Sequence, residues 1–156
     1  VPTPDFVLAL RSKIGHDPLW LPGVGGVVFD GDGRVLLGQR ADNRAWTIIT
    51  GMVDPGEEPA VALRREVEEE TGVLVEVEHL LDTGVVGPIT FPNGDVCTFL
   101  NLDFRCRAIG GEARVNDDES LDVRWFHLDD LPDLNPRHRA LVLGAGDFDG
   151  RTRFVS

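Results

Sequence analysis

The sequence predicts an α/β (α+β) sandwich: a mixed β-sheet built around one long helix, with a second helix behind it. Three observations carry this. Residues 59–72 have the stop and start signals of one helix, with Pro59 suited to the first turn and Gly72 to a left-handed C-cap. Short alternating runs on both sides of it are separated by turn residues, as strands are. No low-complexity linker and no internal repeat divides the chain, so residues 1–156 are expected to form a single domain.

The elements follow in order. Phe6 to Ile14 has a short helical pattern with Pro4-Asp5 as its start, a helix over about 4–15. Val24 to Asp30 and Val35 to Gln39 read as two strands joined by Gly31-Asp32-Gly33, a hairpin signature. Trp46 to Ile49 is a further strand. In the long helix, at about 100° per residue, Ala60, Leu63 and Val67 form the apolar stripe. Leu74 to Val86 and Val96 to Ala108 alternate as strands around the turn Pro92-Asn93-Gly94-Asp95. Val123 to Phe126 is the last strand, and Pro136 to Leu143 the closing helix.

Bulk properties exclude several function classes. A net charge of −12 and a pI near 4.6 give no electrostatic footprint for a nucleic-acid backbone or an anionic membrane. An anionic small molecule would be repelled too, unless cations neutralise its site. Cys97 and Cys106 lie in apolar, strand-like surroundings and read as two reduced thiols rather than a disulfide. No apolar run approaches membrane-spanning length. The opening Val-Pro-Thr-Pro-Asp has neither a basic start nor an apolar signal core, and its first residue is not Met, as in a trimmed chain. A cytoplasmic protein is the expectation, with oligomeric state open and a homodimer compatible. Asp30-Gly31-Asp32-Gly33 suggests a Ca2+ loop but fails as one, because Arg34 and Ala41 stand where ligands should be.

The long helix points to chemistry. Glu66, Glu69 and Glu70 fall within about 100° of arc on a face beside the apolar stripe. Carboxylates three and four residues apart repel one another, and they stand in the last turns, where the macrodipole favours cations. A bound cation resolves both problems, and hard divalent ions take carboxylate oxygens together with phosphates and water.

The spacing also carries a resemblance. Gly51, five residues, Glu57, seven residues, then Arg65-Glu66-Val67, Glu69-Glu70 and Gly72-Val73 are similar to the Nudix box, with every fixed position filled. The later Arg124-Trp125-Phe126 and Leu128-Asp129-Asp130-Leu131-Pro132 also resemble that family. The resemblance implies a Nudix-type α/β/α sandwich and a Mg2+-dependent hydrolase, with Mn2+ as an alternative ion. Such an enzyme cuts a diphosphate linkage in a small nucleotide derivative. It implies Glu66 and Glu70 as principal metal ligands, Glu69 as a third, and Glu57 reaching in from the loop. Glu69 is also a catalytic candidate, since a general base in this family can be a box glutamate or a carboxylate of a later loop. In the segment Asn116-Asp117-Asp118-Glu119 the base candidate is Glu119, with Asp118 behind it. Arg65 reads as an orienting partner for a box glutamate such as Glu57. Gly51 and Gly56 let the loop turn and bring backbone N–H groups to the substrate.

Substrate is less legible. Pro88 falls fifteen residues after Val73, where relatives acting on ADP-ribose have a proline. The absence of tyrosine argues against the diadenosine-polyphosphate group. Arg40, Arg44 and Arg105 are candidates for phosphate or a terminal ribose, and Trp20, Trp46 and Phe91 for stacking a base. His16, before Pro18 and Trp20, is a weaker candidate for substrate contact; His79, His127 and His138 show no ligand spacing. ADP-ribose or a related nucleotide sugar is the expected substrate. The alternatives are a MutT-like nucleoside-triphosphate pyrophosphohydrolase and a non-catalytic nucleotide sensor, although a sensor would be expected to lose box glutamates.

Overall fold

The computed structural model describes residues 3–156; the first two residues of the expected single domain lie outside those described. Helix α1 (Asp5–Ile14) leads to β1 (Leu19–Phe29) and β2 (Val35–Arg40), then to β3 (Trp46–Thr47) and β4 (Ile49–Met52). Helix α2 (Pro59–Thr71), β5 (Val73–Thr90), β6 (Val96–Gly111), β7 (Ser120–Phe126) and α3 (Pro136–Gly146) complete the chain. Among the described residues the strands form one seven-stranded sheet with the path β3-β2-β1-β6-β5, β4 pairing with β1 and β7 with β2. The sheet is mixed, because β1 and β6 run parallel while the other pairs are antiparallel.

Alternation along β1 sorts the core into layers. Val24 and Val28 pack with Ala62, Leu63 and Val67 of α2 on one face. Val27 and Phe29 pack with Leu141, Val142 and Ala145 of α3 on the other. Leu19 and Leu21 share that second face and take Val7 of α1. The result is the three-layer α/β/α sandwich expected from the sequence.

Several boundaries differ from expectation, each for a physical reason. Strand β1 starts five residues early, since Leu19 to Gly23 pairs with β6 despite Pro22 and its glycines. The single strand expected over Trp46 to Ile49 is two: β3 pairs with β2 and β4 with β1, and the chain changes neighbours at buried Ile48. Strands β5 and β6 run longer, β5 through four register shifts and a cis Gly87–Pro88 bond. Strand β7 starts three residues early and α3 ends three residues late. In α2, Pro59 opens the helix and Gly72 closes it at φ 70°, as the sequence indicates. Its buried stripe is Ala62, Leu63, Glu66, Val67 and Thr71, with Ala60 only half-buried. The helix is rotated so that Glu66 belongs to the face against the sheet.

Candidate active site

Leu63 and Val67 lock α2 onto the sheet, and that packing forces the next position on the stripe, Glu66, against β4. Glu66 is only 3% exposed. Space for it comes from Gly51: a methyl group at that position would overlap the Glu66 carboxyl. The Gly51 of the box entrance is therefore required by close approach. Oε1 of Glu66 accepts a hydrogen bond from Arg65 Nη1 at 2.9 Å, whereas Oε2 is buried and has no protein partner. A buried carboxylate oxygen left unsatisfied is costly. Loss of water pushes the Glu66 carboxyl above its usual range, with Arg65 opposing.

Arg65 is the hub of the loop. Its Nε and Nη2 donate to the two oxygens of Glu57 at 3.0 and 2.9 Å, a bidentate grip. Nη2 also reaches the Met52 carbonyl at 3.3 Å, and Nη1 reaches Glu69 at 3.4 Å. Glu57 accepts a further bond from the Asp54 N–H, and the Arg65 guanidinium holds its carboxyl below the usual range. Both Glu57 oxygens are thus engaged, and the loop is fastened to the helix through Arg65. Among the described residues no three acidic, His or Cys side chains converge as a ready-made metal cage, because the guanidinium stands between Glu57, Glu66 and Glu69.

One turn on, Glu70 is half-buried. Its carboxyl is pushed up to about 8, first by burial and then by the negative charges of Glu66 and Asp117, with Arg40 opposing. Asp117 was passed over in the sequence in favour of its neighbours. The structure brings it in because the loop caps the open end of α2. Asn116 Nδ2 donates to the Glu68 and Glu69 carbonyls at 3.2 and 3.1 Å, and Asn116 N to the Glu70 carbonyl at 3.2 Å. One oxygen of Asp117 accepts from the N–H groups of Glu119 and Ser120, and the other is buried without a partner. Asp118 and Glu119 are exposed, and the Glu119 carbonyl accepts from Ala41 N. The signal for Asp117 was its place directly after the capping Asn116.

The substrate candidates scatter. Arg40 ends β2, is held by both oxygens of Asp42, and lies within electrostatic reach of Glu70. Arg44 is exposed on the same loop in a left-handed conformation, φ 62°, its carbonyl accepting from Gln39 Nε2. Pro88 lies on β5, three strands across from Gly51, roughly 20 Å away at ordinary strand spacings. Arg105 is bound to Glu78 and the Ala145 carbonyl on the α3 side. Trp20 is exposed, whereas Trp46 is half-buried edge-to-face on Phe126. His16 bonds Asp95 beside α1.

The donor set fits a hard divalent cation. Glu66 offers a buried oxygen without a hydrogen-bond partner, Glu70 stands one turn on in its field with Asp117 on the far side of Glu70, and all three present oxygen atoms. Ion binding at such a place would relieve the burial of charge that lifts Glu66 and Glu70.

The chain is similar to proteins already known. The chain is 41% identical over 114 residues to a MutT-like protein of Streptomyces ambofaciens, covering 73% of this chain and 68% of that one. An RNA pyrophosphohydrolase of Caulobacter vibrioides is 36% identical over 140 residues, covering 79% and 80%. The crystal structure of an ADP-ribose pyrophosphatase from Streptococcus suis superposes with a TM-score of 0.65 at 27% identity, covering 86% of this chain and 98% of that one. Residues 19–143 match the family described as the NUDIX domain, so the glutamate helix, the Gly51 entrance and the sheet that joins them are those of a Nudix hydrolase, and this chain belongs to that family.

Proposed function

We propose that the protein hydrolyses the diphosphate linkage of a nucleoside diphosphate derivative, ADP-ribose or a related nucleotide sugar, using Mg2+ or Mn2+. The observation that carries this reading is the partnerless oxygen of buried Glu66, one helical turn from Glu70 with its raised carboxyl. Glu66 and Glu70 are the principal ligands in this reading, with Glu69 beside them and Glu57 behind Arg65. A bound divalent ion lowers the pKa of water and neutralises charge on phosphate oxygens.

The residues of the chain supply the remaining tasks. Arg65, tied to Glu57, fixes the rotamer of Glu66 and keeps its free oxygen aimed away from the guanidinium. Glu70 must lose its proton to act as a ligand, so ligation favours pH values toward and above 8. The proton-accepting role falls to Glu69, exposed at the end of the helix, or to the loop that carries Asp117 and Glu119. Arg40, at the end of β2 in the field of Glu70, and Arg44 on the loop that follows would offer positive charge to the phosphates that the glutamates would otherwise repel. Pro88, twenty-odd ångströms off at about the span of a dinucleotide, would meet only the far end of a long substrate.

A second reading has support of its own. The MutT-like and RNA pyrophosphohydrolase relatives favour a triphosphate substrate, free or at an RNA 5′ end, with release of pyrophosphate. The strongly acidic surface argues against a long RNA partner. The sensor alternative is disfavoured because every box glutamate is present. A product-resolved hydrolysis panel with Mg2+, and separately Mn2+, tests these readings. It holds ADP-ribose, nucleotide sugars, canonical and oxidised nucleoside triphosphates, dinucleoside polyphosphates, NADH, coenzyme A and a 5′-triphosphate oligonucleotide. AMP from ADP-ribose supports the first reading; pyrophosphate from a triphosphate replaces it with the second; metal binding without turnover favours the sensor.

A further inference from the structure

On the face of the sheet away from α2, a second buried carboxylate has been given room. Asp103 of β6 is 0% exposed, in the middle of the sheet. Its side chain, with that of Asn101, lies flat across β1, and a methyl group on either Gly23 or Gly25 would overlap them. Oδ1 of Asp103 accepts from Asn101 Nδ2 at 2.8 Å, and Oδ2 is bonded by Arg137 Nη2 from the first turn of α3. Burying an ion pair in this way contributes little net stability compared with apolar packing of the same volume. What such a pair supplies is a fixed direction for the arginine, whose side chain remains 34% exposed.

The position of Arg137 connects it to the glutamate helix. Leu134, just before α3, bridges to Trp46 of β3, and β3 pairs with β2 next to Arg40. His138 adjoins Arg137; burial and the nearby charges of Arg137 and Arg40 bring its imidazole down to about 4, so it stays neutral. Arg40 in turn lies in the field of Glu70. Two guanidinium groups therefore flank a neutral, half-buried histidine on a path from the carboxylates of α2 to the opposite face. Asp42 pairs with Arg40 and Asp103 with one nitrogen of Arg137, but the Arg137 side chain stays 34% exposed, which leaves its remaining N–H groups open to an anion.

We propose that Arg137 is a substrate-positioning residue that takes a phosphate oxygen of the bound nucleotide, with Asp103 setting its direction from below. Arg137 contacts the substrate, while Asp103 acts through Arg137. This rests on the reading of the chain as a nucleotide hydrolase, and it adds a contact outside the glutamate helix and its loop.

The test pairs two readouts on wild type, R137A, R137K, D103N and the R137A/D103N double variant. One is the KM and kcat, with Mg2+, for whichever compound of the hydrolysis panel turns over fastest. The other is calorimetric affinity for ADP in EDTA, which needs no metal and no turnover. R137A is expected to raise KM about tenfold with kcat within about threefold of wild type, and to weaken ADP binding in parallel. R137K should recover part of the loss, since it keeps the charge but not the planar fork. D103N should shift KM in the same direction by less, and add nothing in the R137A background. Unchanged KM and unchanged ADP affinity in R137A, with the double variant controlling for the buried Asp103 carboxylate left unpaired, would overturn the proposal. A wild type that binds ADP but hydrolyses nothing, with binding weakened in R137A, would sink the hydrolase reading and leave the role of Arg137 in place.

Discussion

Glu66 and Asp103 are two solutions to the same problem on opposite faces of one sheet. Each carboxylate is buried, each lies against a neighbouring strand at a glycine, Gly51 for Glu66 and Gly25 for Asp103, and each is raised by loss of water. They differ in completion. Asp103 has both oxygens bonded, by Asn101 and Arg137. Glu66 has one oxygen bonded by Arg65 and one without a hydrogen-bond partner, with Glu70 one turn on and Asp117 beyond it. Where the fold intends a permanent contact, it supplies its own arginine. Where an oxygen is left without a protein donor beside a second buried carboxyl, the partner we propose is a cation from solution. That contrast separates a contact that orients from a site that binds.

The largest expected effect breaks the open side. E66Q and E70Q should each lower kcat with Mg2+ by about a thousandfold, a loss on the scale of removing charge stabilisation from a reacting centre. The melting temperature should not fall, because glutamine keeps the shape of each side chain and removes a buried carboxyl whose ionisation opposes folding. Steady-state kinetics beside thermal melts separate the two; near-normal activity in either variant would reassign the ligands.

The glycines sharpen the comparison. G51A pushes a methyl group into the Glu66 carboxyl, and G25A pushes one into Asp103. Both should destabilise by about 1–3 kcal/mol, as overpacking does, read by urea denaturation. Only G51A moves a candidate ligand, so its turnover should fall by at least about tenfold more than that of G25A at equal folded fraction. Equal losses in the two variants would mean that the Gly51 contact merely packs the helix.

A smaller effect concerns pH. The folded pKa of Glu70 is raised to about 8 above an ordinary 4.5, so in the metal-free protein its ionisation opposes folding. Its contribution is most favourable below the unfolded value and is lost as pH rises from there through about 8. Melts in EDTA across that window should therefore show a decline that E70Q flattens. Conversely, metal binding near neutral pH should release a proton, and buffers of different ionisation enthalpy should give different calorimetric heats. A pH-independent difference between wild type and E70Q would show that burial does not hold the proton on Glu70.

Much of this was legible in the chain itself. Helix α2 was delimited by Pro59 and Gly72, whose backbone preferences act locally, and the β1–β2 hairpin by Gly31-Asp32-Gly33. The spacing of Glu66, Glu69 and Glu70 within the box singled out the acidic face of that helix and the family it belongs to. Features that depend on contacts between distant segments were not legible. The burial of Glu66 follows from β4 pairing with β1, which places Gly51 beneath it. The approach of Asp117 to Glu70 follows from Asn116 capping the carbonyls of α2 across the molecule, a contact the family resemblance that pointed to Glu119 does not encode. Asn101 and Asp103 alternate with Leu102 and Phe104, a pattern that by itself assigns them to water. They lie instead beneath α3, because Gly23 and Gly25 clear the strand beside them.

In the proposed site, the open oxygen of Glu66 and the carboxyl of Glu70 hold a divalent cation. Mn2+ binding followed by electron paramagnetic resonance, without substrate at pH 8.5, tests it most directly on wild type, E66Q, E70Q and D103N. Saturable binding is expected in wild type and D103N, and its loss, or a weakening of at least about tenfold, in E66Q and E70Q. Equal Mn2+ affinity in all four proteins would contradict it, and would place the cation somewhere other than the glutamate helix.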